Sequence, residues 1–204
     1  MHYAIHNAAP PPTRLENGMD QIETFLQAVD QTGRIVAAVT PDQLGQPTPC
    51  ADWDVRALLN HTIGGVHMFD MAAQGEELDP ALFGQDMVGT DPADSYEQGA
   101  AKLEKTVHQP GVLERTWTMP FGPTPGQIAI GIATVETIQH GWDVAKAIGQ
   151  QAEFDPELME AAMAAAQLFP PDIVRQPGVF GPEVECASNA PIEDRLAAFL
   201  GRQV

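Results

Sequence analysis

Glu136 and His140 are the residues of this 204-residue sequence whose types and spacing best suit metal chemistry. Residues four apart on a helix project from one face, so a carboxylate oxygen and an imidazole nitrogen there can share one small cation. The same spacing also occurs in helix pairs that are simply exposed to solvent. Here alanines at 129, 133 and 147 occupy the same face. This pattern predicts that both groups point inward, where a carboxylate needs a cation.

His61 is the predicted third ligand. It lies beside the apolar stripe of an earlier helix, and two ligands on one helix require a third from a facing helix. Two imidazoles and one carboxylate are typical of zinc with an open fourth position, and they also suit nickel, iron or manganese. A lone histidine in such a place is otherwise commonly structural. The sequence therefore predicts one divalent transition metal, zinc first, held by His61, Glu136 and His140.

Other side chains near these positions have more ordinary interpretations. Asp143 lies one turn after His140. Two roles are equally supported for it: a group at the site that orients the imidazole or lines the pocket, or a surface or capping contact. Cys50 has two interpretations, a place near the entrance of the pocket or burial as a small apolar residue, and burial is the favoured one. Trp53 and Trp142 are expected in the core.

Apolar residues that recur every three or four positions predict the helices that carry these side chains. Proline and glycine punctuation sets their approximate bounds at 22–39, 52–69, 91–107, 125–148, 155–169 and 191–200, with an extended segment over 115–121. His61 falls on the second helix, and Glu136 and His140 fall on the fourth. The pattern predicts a mainly all-α protein: an antiparallel four-helix bundle with a short extended segment and C-terminal helical additions.

Composition narrows the classes of partner. The formal net charge is −18, from 28 acidic and 10 basic residues, which argues against binding to nucleic acid or to anionic membrane surfaces. No apolar run reaches the roughly 18–20 residues that span a bilayer. The two cysteines lie far apart and form no CxxC motif, as expected of a cytoplasmic protein.

The first 18 residues differ from the rest of the chain. They contain three consecutive prolines, at 10–12, and no apolar region typical of a secretory signal. Residues 1–18 are therefore predicted to be a flexible N-terminal extension. Residues 19–204 are predicted to form a single helical-bundle domain.

Three segments in order resemble a known family. Residues 48–61 match the pattern TPC-x-x-W-x-VR-x-L-x-x-H, and residues 136–145 match E-x-x-x-HGWD-x-A. Phe180-Gly181-Pro182 and the stretch 194–202 resemble the C-terminal end of the same family. The chain, over about residues 19–203, thus resembles actinobacterial metal-binding proteins of the DinB/YfiT-like superfamily. It is similar to the N-terminal domain of mycothiol-dependent maleylpyruvate isomerase.

The resemblance implies a DinB-like four-helix bundle that holds a metal with one residue of the second helix and two of a later helix. Carried over to this sequence, those residues are His61, Glu136 and His140. Characterised relatives use a low-molecular-weight thiol such as mycothiol, whose sulfur binds the metal and acts on a small electrophile. The sequence lacks a full second domain like that of the isomerase, having only a short stretch after Pro171.

Three functions remain open on the sequence. The first is a metal-dependent thiol S-transferase or isomerase-like enzyme, and the second is a metal-dependent hydrolase that uses bound water. The third is a stress-related protein that binds a metal or ligand without turnover. A homodimer is one alternative for the oligomeric state.

Overall fold

The computed structural model describes residues 20–78, 84–169, 175 and 180–204. The predicted extension over 1–18 lies outside the described residues, so its separation from a single domain over 19–204 stays a prediction. No helix in the described ranges is both long and apolar enough to cross a membrane. The elements are α1 (Gln21–Ala37), a 3-10 turn (Pro41–Gln43), α2 (Val55–Gln74), α3 (Pro92–Val107), β1 (Thr116–Met119), β2 (Gly122–Pro125), α4 (Gly126–Ala147), α5 (Pro156–Gln167) and α6 (Ile192–Phe199).

Helices α1 to α4 pack as a four-helix bundle, which confirms the predicted mainly α-helical class and architecture. Hydrogen bonds between helices show that α1 and α4 run in the same direction. Gln21 Nε2, at the start of α1, donates to the carbonyl of Gln127, and Thr32 Oγ1, further along, donates to the carbonyl of Thr137. Residues near the start of α1 thus lie beside residues near the start of α4.

The pair that carries the predicted ligands, α2 and α4, runs antiparallel. Cys50, just before α2, contacts Asp143 near the end of α4, whereas His61, further along the chain, contacts Glu136 earlier in α4. The predicted antiparallel packing therefore holds for this pair, whereas α1 and α4 run parallel. Antiparallel neighbours bring the N-terminal half of α2 against the C-terminal half of α4.

Aspartate side chains fix where helices begin. Asp54 caps α2 because its carboxylate accepts a hydrogen bond from the amide of Ala57 at 2.8 Å. The helix was expected to begin near Asp52, so the predicted cap is early by two residues. Both aspartates have the chemistry of a cap, and sequence alone does not separate them. Asp20, Asp91 and Asp155 cap α1, α3 and α5 in the same way.

The predicted extended segment is the first strand of a hairpin. Strands β1 and β2 pair antiparallel, with Met119 opposite Gly122 at the turn. Gly122 has a φ of 121°, which a side-chain-bearing residue rarely adopts. The second strand was not expected, because Pro123 and Pro125 lack the amide hydrogens that strands use.

Helix α4 lies close to α1 at Gly141. A Cβ atom at this position would come 2.7 Å from Thr32 Oγ1 and 2.9 Å from Phe154 Cζ, so a larger residue does not fit without movement. This close approach fixes one side of α4 against α1. The opposite side, with Glu136 and His140, faces α2 across the bundle.

Candidate metal centre

The structure brings the three predicted ligands together. One donor atom from each of His61, Glu136 and His140 lies within 4.8 Å of the others. His61 Nε2 is 3.5 Å from Glu136 Oε1, and the two imidazole rings meet edge to face with centroids 4.7 Å apart. The side chains of His61 and Glu136 are 29% and 26% exposed, against 11% for His140. The group is thus open on one side and enclosed on the other.

A small cavity lies between these side chains. Its volume is about 10 Å³, close to the minimum that holds one water molecule or ion. Gly65 contributes no side chain, and a Cβ built there would approach only the edge of Phe69, at 3.9 Å. The cavity is lined by His61, Thr62, Gly65, Phe69, Glu136, Thr137 and His140.

The electrostatics favour an ionised Glu136. Burial raises the pKa of this carboxyl, but the hydrogen bond from His61 and the electrostatic interactions with both imidazoles outweigh burial and hold the pKa below its usual value. A carboxylate with two imidazoles is a donor set that suits one divalent cation with a coordination position left open. The residues present therefore fit the predicted ion, and their role as ligands stays a prediction.

Asp143 is fully buried, so it makes no surface contact. Arg202 binds it in a bidentate manner, with Nε 2.8 Å from Oδ1 and Nη2 2.8 Å from Oδ2. Gln139 Nε2 donates to Oδ1 at 3.2 Å, and His140 Nδ1 lies 3.3 Å from Oδ2. Burial raises the pKa of Asp143, but the bonds from His140 and Arg202 outweigh it and hold the pKa at about 2.

The contact with Asp143 has a consequence for His140. When Nδ1 carries the hydrogen and donates it to the carboxylate, Nε2 keeps its lone pair and is available to a cation. This is the arrangement in which an outer carboxylate fixes the tautomer and the orientation of a ligating imidazole. Of the two roles left open for Asp143, the geometry therefore favours the orienting one.

Cys50 and Trp53 lie beside the site, not in the core. Cys50 is half-buried, with Sγ 3.3 Å from Asp143 Oδ2 and 3.3 Å from Arg202 Nη2. Burial and the charge of Asp143 raise the pKa of the thiol to about 12. Trp53 is half-buried and faces His61, so its expected place in the core was wrong. Trp142 is buried, as expected.

Arg202 is the neighbour of the site that sequence reasoning missed. It follows α6 in the C-terminal tail, 59 residues after the carboxylate that it binds. Neither helical periodicity nor motif spacing relates residues so far apart. The one available signal was its place at the end of the third segment of the family resemblance, where it had no assigned partner.

Comparisons with known proteins relate the chain to one family. A family model described as the mycothiol maleylpyruvate isomerase N-terminal domain matches residues 25–145, more than half of the chain. Two uncharacterised proteins of Mycobacterium tuberculosis, from strains CDC 1551 and H37Rv, are each 35% identical over 187 residues. Those matches cover 91% of this chain and the whole length of each relative.

Solved structures show the same fold. The crystal structure of the mycothiol-dependent maleylpyruvate isomerase matches with a TM-score of 0.56 at 15% identity, and a histidine-to-alanine mutant of that isomerase matches with 0.54. Each match covers 72% of this chain and 66% of the isomerase chain, so this chain spans just under two thirds of the isomerase. The chain belongs to the mycothiol maleylpyruvate isomerase N-terminal domain family.

Proposed function

We propose that this protein binds one divalent transition-metal ion through His61, Glu136 and His140. We further propose that it acts with a low-molecular-weight thiol on a small electrophile, as an S-transferase or isomerase-like enzyme. The observation that carries the proposal is the convergence of two imidazoles and an ionised carboxylate, within 4.8 Å of one another, around a cavity of about 10 Å³. Zinc is the first candidate for the ion, with nickel, iron and manganese as alternatives.

Family membership supports the thiol. The solved relative is named as a mycothiol-dependent isomerase, and the family model carries the same name. A bound divalent metal would lower the pKa of a thiol that coordinates it, and so supply a thiolate at neutral pH. The protein thiol beside the site, that of Cys50, has a pKa raised to about 12 and does not supply that thiolate.

The chain's own residues have separate roles in this proposal. His61 and Glu136 form the exposed side of the donor group, so the thiol and the electrophile approach from there. Asp143 holds the proton on Nδ1 of His140 and keeps the ring in place. Trp53 forms an aromatic wall beside both imidazoles, and this wall excludes water from one side of the group. The proposed location is the cytoplasm, where both cysteines stay reduced.

A metal-binding protein without turnover is the second candidate. The cavity at the donor group holds an ion but no organic substrate. This chain also spans less than two thirds of the isomerase chain, so a part of that enzyme has no counterpart in the match. Under this alternative the protein binds metal but shows no thiol-dependent activity.

Elemental analysis of the purified protein tests the metal site. We expect about one equivalent of a transition metal in the wild type and a loss of at least tenfold in a His61→Ala/His140→Ala variant. His67→Ala is the matched control, because His67 also lies on α2 but packs against Gly99 of α3. A wild type that holds no metal after reconstitution would refute the site.

Turnover is tested separately on the metal-loaded protein. Maleylpyruvate and a panel of small electrophiles would be incubated with and without mycothiol, and products would be followed by chromatography. Activity that requires the thiol and disappears in His140→Ala supports the enzyme. Full metal occupancy without activity on any electrophile supports the binding protein instead. Activity without any thiol would contradict both candidates.

A further inference from the structure

Two groups of metal-ligating side chains overlap in this bundle. The first is the proposed site, His61, Glu136 and His140. The second is Cys50, His140 and Asp143, whose donor atoms also lie within 4.8 Å of one another. The groups share His140, so one imidazole stands between two possible positions for an ion. We call the second group the inner donor group, because Asp143 is fully buried and His140 is only 11% exposed.

The inner donor group already contains a cation. Arg202 donates to both oxygens of Asp143 at 2.8 Å, and its Nη2 lies 3.3 Å from the sulfur of Cys50. A guanidinium keeps its charge at every pH that the folded protein survives, and its planar fork matches a carboxylate. Its side chain is 14% exposed, so little water screens it. Two of the three inner donors are therefore bound by one fixed positive group.

We propose that Arg202 closes the inner donor group to metal ions and so confines the metal to His61, Glu136 and His140. In this role Arg202 is a positioning residue that selects which side of His140 takes the ion. The inference rests on the proposed metal site, and it adds that the chain excludes its own cysteine from the metal.

The physical reason is a competition between donors. A thiolate is a softer and stronger ligand for zinc than a carboxylate, so a group that includes Cys50 would compete with the proposed site. A divalent ion among the inner donors would have to displace the guanidinium from Asp143 or lie beside it, and like charges at such distances repel strongly. With Arg202 in place, Nδ1 of His140 turns to Asp143 and the open coordination position remains free for an external thiol.

Cobalt substitution tests the inference, because a cobalt ion bound to a thiolate has an intense near-ultraviolet charge-transfer absorption that histidine and carboxylate ligands do not give. The experiment uses the full chain in a Cys186→Ser background, so that Cys50 is the one remaining cysteine. Apoprotein with Arg202 intact is compared with Arg202→Met, which keeps a long side chain but removes the charge. Arg195→Met is the matched control for loss of a C-terminal arginine.

We expect cobalt to bind without the thiolate band when Arg202 is present and in Arg195→Met. We expect the band to appear in Arg202→Met and to disappear again in Arg202→Met/Cys50→Ser. A thiolate band in the protein that retains Arg202 would overturn the inference, and so would an Arg202→Met variant that binds cobalt without the band. If Arg202→Met fails to fold, Arg202→Gln replaces it, since the amide removes the charge but still donates to Asp143, and the same two outcomes apply.

The result also separates this inference from the proposed function. Absence of cobalt from the protein with Arg202, together with a thiolate band in Arg202→Met, would refute the proposed site but support the blocking role. Cobalt bound without the band in both proteins would support the site and refute the blocking role. Absence of cobalt from every variant would refute both.

Discussion

The indole ring of Trp53 lies 4.7 Å from the imidazole ring of His61, centroid to centroid, and 6.2 Å from that of His140. The turn before α2 holds Trp53 there: its amide donates to the carbonyl of Cys50, and its carbonyl accepts from Thr48 Oγ1. The residues of the TPC-x-x-W pattern thus form one local unit that places an aromatic ring against two predicted ligands.

This stacking predicts an optical signal for metal binding. Cobalt at the proposed site should quench a large part of the fluorescence of Trp53, because the paramagnetic ion would bind imidazole rings whose centroids lie 4.7 and 6.2 Å from the indole. Trp53→Phe should lose most of the quenching and retain cobalt binding. A fluorescence titration of the apoprotein measures both.

Trp117→Phe is the control for that titration. Trp117 lies in β1, is fully buried and donates to the carbonyl of Val112. Its replacement should lower the total emission but preserve the quenching. Equal quenching in Trp53→Phe and in the wild type would show that cobalt binds away from His61.

Asp143→Asn should destabilise the fold and weaken the metal site. It leaves the guanidinium of Arg202 buried without an anion, a change that typically costs about 3–5 kcal/mol of unfolding free energy. It also weakens the partner of His140 Nδ1, and loss of such partners lowers metal affinity about 10–100-fold. Urea unfolding and competition with a chelator measure the two effects.

The control for this substitution is Asp30→Asn. Asp30 pairs with Arg34 on the surface of α1, where the side chains are 59% and 75% exposed. A pair of this kind contributes less than about 1 kcal/mol. An equal loss of unfolding free energy in Asp30→Asn and Asp143→Asn would show that burial of an ion pair does not determine its contribution to stability.

Gly141→Ala should destabilise the protein by about 1–3 kcal/mol, the usual cost of overpacking. The added methyl would meet Thr32 Oγ1 at 2.7 Å and Phe154 Cζ at 2.9 Å. Gly131 is a matched control in the same helix, since a Cβ there meets nothing within 4 Å. Gly131→Ala should instead stabilise by up to about 1 kcal/mol, the difference in helix propensity. Thermal and urea unfolding measure the stability of both variants. Stability changes of the same sign in Gly141→Ala and Gly131→Ala would contradict the packing argument.

Cys50 should resist alkylation at neutral pH. Burial and the charge of Asp143 raise the pKa of its thiol to about 12, so the thiolate is about a thousandfold scarcer than in a free cysteine. In a Cys186→Ser variant, the rate of reaction with iodoacetamide, followed by mass spectrometry, should stay low to pH 9 and rise with pH above that. A rate that levels off below pH 9 would contradict the raised pKa.

The same shift links Cys50 to stability at alkaline pH. The folded state binds the thiol proton more tightly than the unfolded chain, so ionisation favours unfolding. The stabilisation from the protonated thiol is therefore complete below about pH 9 and is lost as the pH rises towards about 12. Cys50→Ser should remove this part of the alkaline loss, as urea unfolding between pH 8 and pH 11 would show.

The helices and the three donor residues could be predicted from the sequence because their sequence patterns are local or periodic. Glu136 and His140 are four residues apart on one helix. The position of His61 beside the apolar stripe of α2 follows from the 3.6-residue period of an α-helix. Capping residues also define most helix starts, although Asp52 and Asp54 are too similar for the sequence to choose between them.

The contacts around the donor residues could not be predicted in this way. Arg202 meets Asp143 and Cys50 across 59 and 152 residues of chain, and no pattern within a helix records such a pairing. Trp53 reads as a core residue because tryptophan is apolar, and only the turn before α2 turns its ring towards His61. Strand β2 could not be predicted because its two prolines lack the amide hydrogens that strands use.

The parallel pairing of α1 with α4 bears on how fast the protein folds. Gln21 meets Gln127 and Thr32 meets Thr137, so the partners along this pair are separated by about half of the chain. Bundles made of successive helical hairpins close short loops first, whereas this topology has to close long ones. We therefore expect it to fold more slowly than an up-and-down bundle of equal length. The three donors come from α2 and α4, so the site forms only when these two helices meet, and nascent helices alone provide no place for the ion.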